Sequence, residues 1–509
     1  NVINALGVLG IDDIKTFSGT VSLDDLYDQE NSQDKLLLSA SIHATISKQM
    51  LDLHADNILI VPAEALDVVS GRVKKAEIKN VINALGVLGI HDIKTFSGTV
   101  SLGNLYDDKI KQDKLLLSAS IHATISKQMI DLGSNVLLVP EKYNGSEIRY
   151  DYNGSQFVQK EEIKNVINAL GVLGIDDIKT FSGTVSLGNL YDDEDKQDKL
   201  LLSISIHATI SKQMLDLGRD NILIIPDKTI ANKVVRKLID DNTYISSFEI
   251  KALINALGIL AKDDITEFVL SDLNPEKVLD SDYDKLLASA SIQLTLSKLI
   301  LDNAVDETSS HYGQLNLLVP QYFREDLTVD TVIKTQIEKT ELYKLLNSLK
   351  ILGITGYADD MNGTFITSLS QDDLDIILYS NTMYATFDNM LKGNGINDFI
   401  PNKAVDFAST IGISNITKKV EIVSFITAAS KLSGNFTNVS INLSAIIALS
   451  EDDRDVTLNS MIIRNAITPE LEDYIAIDPG YAIQPEDYEE GDIFFTKYAI
   501  DSILQFYGV

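Results

Sequence analysis

The stretch DKLLLSASIHATISKQMLDL, residues 34–53, carries the pattern on which the fold prediction rests. Its apolar residues recur at the spacing of one face of an α-helix: Leu38, Ile42, Ile46, Met50 and Leu53. A flanking row consists of small residues: Ser39, Ala40, Ala44 and Ser47. We therefore predict a long helix whose small-residue side lets another backbone segment approach closely.

The sequence consists largely of tandem copies of this stretch and its flanking residues. The ten residues NVINALGVLG occur at 1–10, 80–89 and 165–174. Residues 80–133 and 165–218 are identical except at five pairs of positions: His91/Asp176, Lys109/Glu194, Ile110/Asp195, Ala119/Ile204 and Ile130/Leu215. More diverged copies end at Pro320, Pro401 and Pro485, and TKYAIDSILQFYGV resembles the start of another. Such near-identity indicates tandem duplication.

Each copy follows the same order of elements. An opening segment such as EEIKNVINALGVLGI, residues 161–175, has the apolar face of a helix, and Gly174 suits its C-terminal end. The long helix comes next, and a short apolar run closed by proline, such as NILIVP at 57–62, predicts a buried strand. We predict an α+β, mainly helical fold: a tandem array of about six small helix-helix-strand repeat domains forming an elongated rod, roughly 150–200 Å long.

The predicted boundaries follow the copies. They are 1–62 for copy 1, 76–140 for copy 2, 161–226 for copy 3, 247–320 for copy 4, 338–401 for copy 5, 419–485 for copy 6 and 495–509 for the start of a seventh. Because the first and last residues fall inside opening helices, we expect copy 1 to be N-terminally truncated and the chain to be a segment of a longer array.

The segment 141–160 between copies 2 and 3 differs from the rest. Its sequence EIRYDYNGSQFVQK places Asn153-Gly154 between two partly alternating aromatic arms, which predicts a β-hairpin. Tyr150, Tyr152 and Phe157 are expected to be partly exposed there.

Charge and composition exclude several classes of function. The chain has 74 acidic against 43 basic residues, a formal net charge of −31, so nucleic acid and anionic membrane surfaces are poor partners. It contains no Cys, which excludes disulfides, thiolate metal sites and cysteine nucleophiles. No run approaches the roughly 20 apolar residues of a membrane span.

No catalytic, cofactor-binding or metal-binding residues are predicted. His43, His122 and His207 share one position, but Gln293 replaces them in copy 4, so a packing or surface role is favoured and their role stays open. Thr45 stands three residues before Lys48 in TISK, without the partner motifs of Ser-x-x-Lys enzymes. Nucleotide-binding glycine motifs are absent.

Acidic clusters precede the long helix in several copies: Asp192, Asp193, Glu194 and Asp195; Asp280, Asp282 and Asp284; Glu451, Asp452 and Asp453. Helix capping and the helix dipole explain such clusters, and we favour that interpretation. Calcium stays a possible ligand, although the EF-hand pattern is absent.

In organisation, the tandem copies and the composition rich in Lys, Asn, Ile and Asp resemble large tandem-repeat surface proteins of low-GC Gram-positive bacteria and mollicutes. The resemblance implies a non-enzymatic, extracellular or cell-surface structural protein, here a segment of an acidic fibre acting by spacing and self-assembly. Its partners would be neighbouring copies of itself or other surface proteins. The alternatives are a multivalent adhesin or ligand-binding array, and an intracellular cytoskeletal scaffold.

Overall fold

The chain folds mainly into helices, with short antiparallel strand pairs between them. A computed structural model describes residues 1–133, 136–227, 229–230, 233–304, 317–329, 332–354, 366–407, 409–432, 439–477, 486–487 and 493–506. Within these residues two compact units are distinguished, one formed by 1–221 with 231–268, and the other by 222–230 with 269–509. The predicted α+β, mainly helical class is confirmed.

Each copy begins with an opening helix: Val2–Val8, Lys75–Val87, Lys160–Val172, Ser247–Ile259, Lys339–Ile351, Lys419–Leu432 and Lys497–Phe506. The apolar face predicted for copy 3 is buried: Ile163, Val166, Ile167, Leu170 and Leu173. Gly174 follows the helix with a φ of +70°, a left-handed conformation that glycine adopts at little cost. The pattern therefore predicted both the helix and its end.

The single long helix predicted over residues 34–53 is wrong in one respect, because the chain forms two helices there. A short helix, Glu30–Leu37, ends before Ser39, whose extended backbone and side-chain oxygen cap a long helix, Ala40–Ala55. Ile42, Ile46 and Met50 are buried as expected, whereas Leu38 lies in the break and is 59% exposed.

The same pair of helices recurs in the other copies. The short helices are Lys109–Leu117, Glu194–Leu202, Tyr283–Leu286, Gln371–Ile377 and Glu451–Thr457, and an additional helix, Leu443–Ile447, precedes the last of these. The long helices are Ala119–Asp131, Ile204–Arg219, Ala290–Asp302, Asn381–Leu391 and Met461–Ile477.

The strand predicted at 57–62 is also wrong. Residues 57–62, and the equivalent described residues of copies 2 to 4, form no strand, although Leu59, Val61 and Pro62 are buried. The backbone N–H of Ile60 instead donates to the side chain of Thr124 at 2.9 Å. A side-chain oxygen thus satisfies an amide that a strand neighbour would otherwise bind.

The strands occur as two-stranded antiparallel pairs between copies: Lys142–Tyr143 with Ser146–Glu147, Arg149–Tyr152 with Ser155–Val158, Thr229–Ile230 with Lys233–Val234, Arg236–Ile239 with Asn242–Ile245, Arg324–Val329 with Val332–Ile337, Val405–Asp406 with Ile416–Thr417, and Glu486–Asp487 with Ile493–Phe494.

The predicted hairpin at Asn153-Gly154 is confirmed: Tyr150 pairs with Phe157, and both loop residues have positive φ. Tyr152 is exposed and Tyr150 half-buried as expected, but Phe157 is buried because its ring contacts His122 and Tyr150.

The predicted domain boundaries stay predictions, and the end of copy 6 at Pro485 lies outside the described residues. Across the part of the chain that the structure covers, no helix combines the length and apolar character needed to cross a membrane.

Candidate functional site: the contacts between successive copies

Equivalent contacts join copy 1 to 2, copy 2 to 3 and copy 3 to 4. Each long helix packs against a 3₁₀ turn of the following copy, at Ile93–Thr95, Ile178–Thr180 and Ile265–Glu267. Each short helix contacts the opening helix of that following copy. We call the surface a copy presents to its successor the trailing face, and the surface it presents to its predecessor the leading face.

A tyrosine on the trailing face lies directly over a glycine on the leading face. The Tyr106 ring covers Gly171 so closely that a methyl group on this glycine would overlap the ring carbons. The same pairing occurs between Tyr27 and Gly86. Tyr191 and Gly258 form the third pair. Only glycine leaves room for the ring at this point of the opening helix.

The hydroxyl of each tyrosine is bound as well as its ring. Tyr106 donates to the carbonyl of Ile175 at 2.5 Å, Tyr27 to that of Ile90 at 2.5 Å, and Tyr191 to that of Lys262. Burial raises the pKa of Tyr106, and the negative charge of Asp176 raises it further. The phenol therefore stays protonated at neutral pH and keeps its donor role.

An asparagine on the leading face adds a second polar contact. The side-chain oxygen of Asn168 accepts from the backbone N–H of Asp107 at 3.0 Å and from the Gln112 amide at 2.8 Å. The glutamine also donates to the carbonyl of Leu105 in its own copy. Asn83 and Asn255 accept equivalent pairs of bonds at the other two junctions.

A threonine of the long helix binds the apolar run of the preceding copy. Besides Thr124, which accepts from Ile60, the same bond occurs at 2.9 Å from Leu138 to Thr209, from Ile224 to Thr295 and from Leu318 to Thr386. Thr124 also donates to the carbonyl of Ser120 within its helix. Both capacities of this hydroxyl are thus used in packing, which accounts for the threonine of the TISK motif without a catalytic role.

Backbone bonds and ion pairs complete each junction. The N–H of Leu102 donates to the carbonyl of Asp176 at 2.8 Å, beside an isolated antiparallel bridge between Ser101 and Asp177. Lys164 pairs with Asp113 at 2.5 Å. Equivalent ion pairs are Lys79–Asp34 and Lys251–Asp198. The carboxylates of these pairs are exposed while the lysines are largely covered, and we expect each pair to contribute about 1 kcal/mol.

Within a copy, a buried glutamate holds the break between the short and long helices. Glu162 accepts from the Ser203 hydroxyl at 2.8 Å and from the amides of Ile204 at 3.1 Å and Ser205 at 2.8 Å. Burial raises the pKa of Glu162, against the lowering effect of these bonds. Equivalent pairs are Glu77–Ser118, Glu341–Ser380 and Glu421–Ser460. The carboxylate supplements the serine cap of the long helix.

The repeated histidine fixes the backbone two residues before the next opening helix. His122 Nε2 donates to the carbonyl of Val158 at 2.7 Å, and Ser126 accepts from the Val158 amide at 3.0 Å. Burial lowers the pKa of His122, so the ring is neutral at neutral pH. The equivalent carbonyl donors are His43, His207, Gln293 and Tyr384. A packing role explains why Gln and Tyr can take the place of this histidine in other copies.

The acidic clusters lie at the starts of the short helices, but they do not all cap them: the N-cap Asp282 of copy 4 makes no capping side-chain bond, and in copy 6 Ser450 is the cap while Glu451, Asp452 and Asp453 occupy the first turn. Asp193 is the N-cap of the short helix of copy 3 and accepts from the Lys196 amide at 3.1 Å. The side chain of the same Lys196 also pairs with Asp193, at 2.9 Å. Among the described residues, no three His, Asp or Glu side chains are grouped as a metal site requires.

The contact between copies 4 and 5 keeps the threonine bond, from Leu318 to Thr386, but replaces the tyrosine and the glycine. Lys350 stands at the position of the glycine. The position of the tyrosine falls on Lys277 or Val278, because copy 4 is one residue shorter between Asp264 and Ser289 than copy 3 is between Asp177 and Ser203. Lys350 Nζ reaches the carbonyl of Val278 at 3.1 Å and the carboxylate of Asp280 at 2.9 Å. The rings of Tyr283 and Tyr343 meet edge to face, with centroids 5.4 Å apart. The tyrosine and glycine are therefore lost together.

Comparisons with protein-family models, with curated proteins and with solved structures find no match to this chain. The sequence interpretation missed the tyrosine-glycine pairs. Their joint replacement in copies 4 and 5 was the signal that would have revealed them.

Proposed function

We propose that the protein is a non-enzymatic structural protein, a tandem array of small repeat domains whose successive copies stack into an elongated, acidic rod. The observation that carries this proposal is the recurrence of one set of contacts at three junctions: the ring over glycine, the asparagine acceptor and the threonine acceptor. Equivalent contacts applied repeatedly in one direction along a chain generate an extended assembly rather than a compact one.

The charge and the chemistry of the junctions support spacing as the function. A net charge of −31 keeps an elongated molecule soluble and opposes non-specific association. The repeated His, Thr and Glu side chains are all engaged in holding backbone groups, so they support a packing role. Location at the cell surface or outside the cell, with neighbouring copies or other surface proteins as partners, is part of the proposal.

Small-angle X-ray scattering of the purified chain tests the proposal. A rod of roughly 150–200 Å has a radius of gyration of at least about 40 Å, whereas a compact globule of this length has one of about 23 Å. A value near 40 Å or above supports the rod, and one near 23 Å refutes it. Repeating the measurement with a calcium chelator tests the remaining metal hypothesis, because calcium-dependent stacking predicts that the radius falls on chelation.

A further inference from the structure

The break between the short and long helices of copy 5 carries an exposed tyrosine between two lysines. Tyr379 occupies this break and is 69% exposed. Lys344 Nζ lies 5.1 Å from the centroid of the Tyr379 ring, and Lys419 Nζ lies 6.0 Å from it. Lys344 belongs to the opening helix of copy 5, and Lys419 to the opening helix of copy 6. Two ammonium groups from consecutive opening helices therefore face one aromatic ring.

The tyrosine and the first of these lysines replace a pair of residues that forms the same break in copies 1 to 3. In copy 3, Leu202 stands at the position of Tyr379, and Asn165 stands at that of Lys344. The side chain of Asn165 donates to the Leu202 carbonyl at 3.4 Å, and copies 1 and 2 have the same bond. Leu202 is 62% exposed, so packing does not require an aromatic ring here. The two positions differ together in copy 5, and the difference adds positive charge.

Neither lysine of the copy 5 break forms an ion pair with a carboxylate in the described part of the chain. At the position equivalent to Lys419, Lys497 pairs with Asp455 at 2.5 Å. Lys419 Nζ instead donates to the Leu378 carbonyl at 2.5 Å and lies 4.9 Å from the centroid of the Tyr384 ring. Aromatic rings attract a cation but do not neutralise its charge. Both ammonium charges therefore remain available to an anion.

The nearby carboxylate of Glu341 is already engaged in holding the start of the long helix. It accepts from the Ser380 hydroxyl at 2.8 Å and from two further groups of that helix. Burial, and then the charge of Lys344, lower the pKa of Lys419, whereas Glu341 raises it by less. The repulsion between the two lysines thus exceeds what this carboxylate compensates, and a bound anion would relieve it.

We propose that Lys344, Tyr379 and Lys419 form a binding site for a phosphate dianion, either free or as a monoester. Two ammonium groups match a dianion in charge, and the phenol hydroxyl supplies a further hydrogen-bond donor beside them. At physiological ionic strength, charges more than about 8 Å away are largely screened, so these two lysines outweigh the acidic character of the whole chain.

The site is specific to copy 5, because the other copies have leucine, alanine or asparagine at the position of Tyr379. Stacking of copies does not need this site, since copies 1 to 3 form the same break without a tyrosine or a lysine there. The inference therefore goes beyond the proposed rod and gives one copy a binding role of its own.

Site-specific acetylation of lysines, quantified by peptide mass spectrometry, tests the proposal in the intact chain. Rates are measured with inorganic phosphate, with phosphoserine and with chloride at equal ionic strength. Near saturation, at least one of the two phosphate compounds should slow acetylation of Lys344 and Lys419 about fivefold or more relative to chloride. The control lysines are Lys339 and Lys497, which begin other opening helices and already pair with aspartates. Their acetylation should change by less than about 1.5-fold.

A double variant that restores the residues of copy 3, Tyr379→Leu with Lys344→Asn, separates binding from folding. This variant should fold with an intact break, because Leu202 and Asn165 form the same break in copy 3. Its Lys419 should lose the protection, so that phosphate slows acetylation by less than about 1.5-fold.

The inference is overturned if both phosphate compounds leave Lys344 and Lys419 no more protected than the control lysines, or if Lys419 stays protected in the double variant. Stronger protection by phosphoserine identifies a monoester as the ligand, and equal or stronger protection by inorganic phosphate identifies the free anion. This local readout is independent of the radius of gyration that tests the rod, so either proposal can fail without the other.

Discussion

The junction between copies 2 and 3 and the contact between copies 4 and 5 share a threonine acceptor, Thr209 and Thr386, but pack different side chains against the opening helix. In the first, Tyr106 covers Gly171. In the second, Lys350 binds Asp280, and Tyr283 packs on Tyr343. Within the copies, however, the carboxylates of Glu162 and Glu341 hold Ser203 and Ser380 in the same way.

The contacts that hold each copy together are therefore shared, whereas the contacts that join neighbouring copies differ. The glutamate-serine contact fixes the start of the long helix, where the first backbone amides have no partner within the helix and need an acceptor. The junction requires only complementary shapes on two facing surfaces, so both surfaces can change together. The three equivalent junctions join copies 1 to 4, whereas the contact between copies 4 and 5 replaces their tyrosine and glycine.

The largest effect should follow from removing the buried glutamate that the copies share. Glu162→Ala removes the acceptor of the Ser203 hydroxyl and of two buried amides, and we expect local stability to fall by about 3 kcal/mol. Hydrogen exchange in Ile204–Arg219 measures this change. The matched control is Glu161→Ala, an exposed neighbour, which should change stability by less than about 0.5 kcal/mol. Equal effects of the two substitutions would contradict the assignment.

The next largest effect should come from the tyrosine-glycine pair. Gly171→Ala places a methyl group inside the Tyr106 ring, and overpacking of this kind costs about 1–3 kcal/mol. Gly7→Ala is the control at the equivalent open position and should stabilise its helix by about 0.5–1 kcal/mol. Hydrogen exchange measures the change in local unfolding free energy for both variants. If Gly171→Ala stabilised its helix as Gly7→Ala does, the ring contact would be ruled out.

The hydroxyl of this tyrosine should contribute less than its ring. Tyr106→Phe leaves the ring over Gly171 but leaves the Ile175 carbonyl without its donor, and we expect a loss of about 1 kcal/mol at the junction. Tyr152→Phe, at an exposed hairpin position, should have no measurable effect. Exchange rates in Lys160–Val172 report the junction, and unchanged rates in Tyr106→Phe would show that the hydroxyl bond contributes nothing there.

The smallest effect should come from replacing histidines such as His122 by glutamine, the residue that copy 4 has at this position as Gln293. Burial lowers the pKa of His122 and His207, so the unfolded chain takes up protons first, near the ordinary value of 6.5. Their stability contribution is therefore complete above about pH 6.5 and is lost as the pH falls below it. The double variant with His122→Gln and His207→Gln should lose no more than about 1 kcal/mol at pH 7.5, because glutamine can keep the carbonyl bond, as Gln293 does, while the ring contacts are lost.

The double variant should also lose less stability than the original chain between pH 6.5 and 5.5. Thermal unfolding across this range measures the difference between the two proteins. Parallel pH profiles would contradict the burial of neutral histidines.

Local patterns in the sequence predicted much of the fold. The apolar spacing around Ile163 marked the opening helix, and Asn153-Gly154 marked the hairpin, because both depend on neighbouring residues. Errors arose where a distant group decided the outcome. Ile60 lies in no strand because Thr124 binds its amide, and Phe157 is buried because His122 lies against it.

The junctions were the least predictable part. Spacing within one copy does not reveal that Tyr106 and Gly171, 65 residues apart, touch. The break at Ser39 was similarly hidden, because residues 34–53 have helical spacing on both sides of it. Side-by-side reading of the copies offered the available signal, since residues that change together in copies 4 and 5 are those that meet.

If the copies stack into a rod, its length grows in equal steps with their number, and deletion of residues 80–164 measures one such step. The deletion joins Lys79 to Asn165 and so removes one period of 85 residues while restoring the sequence Glu-Ile-Lys-Asn found at the natural junction. Stacking predicts that the longest dimension from X-ray scattering falls by about 25–30 Å with the remaining junctions intact. A change of only about 7% in the radius of gyration, as for a compact globule, would contradict it.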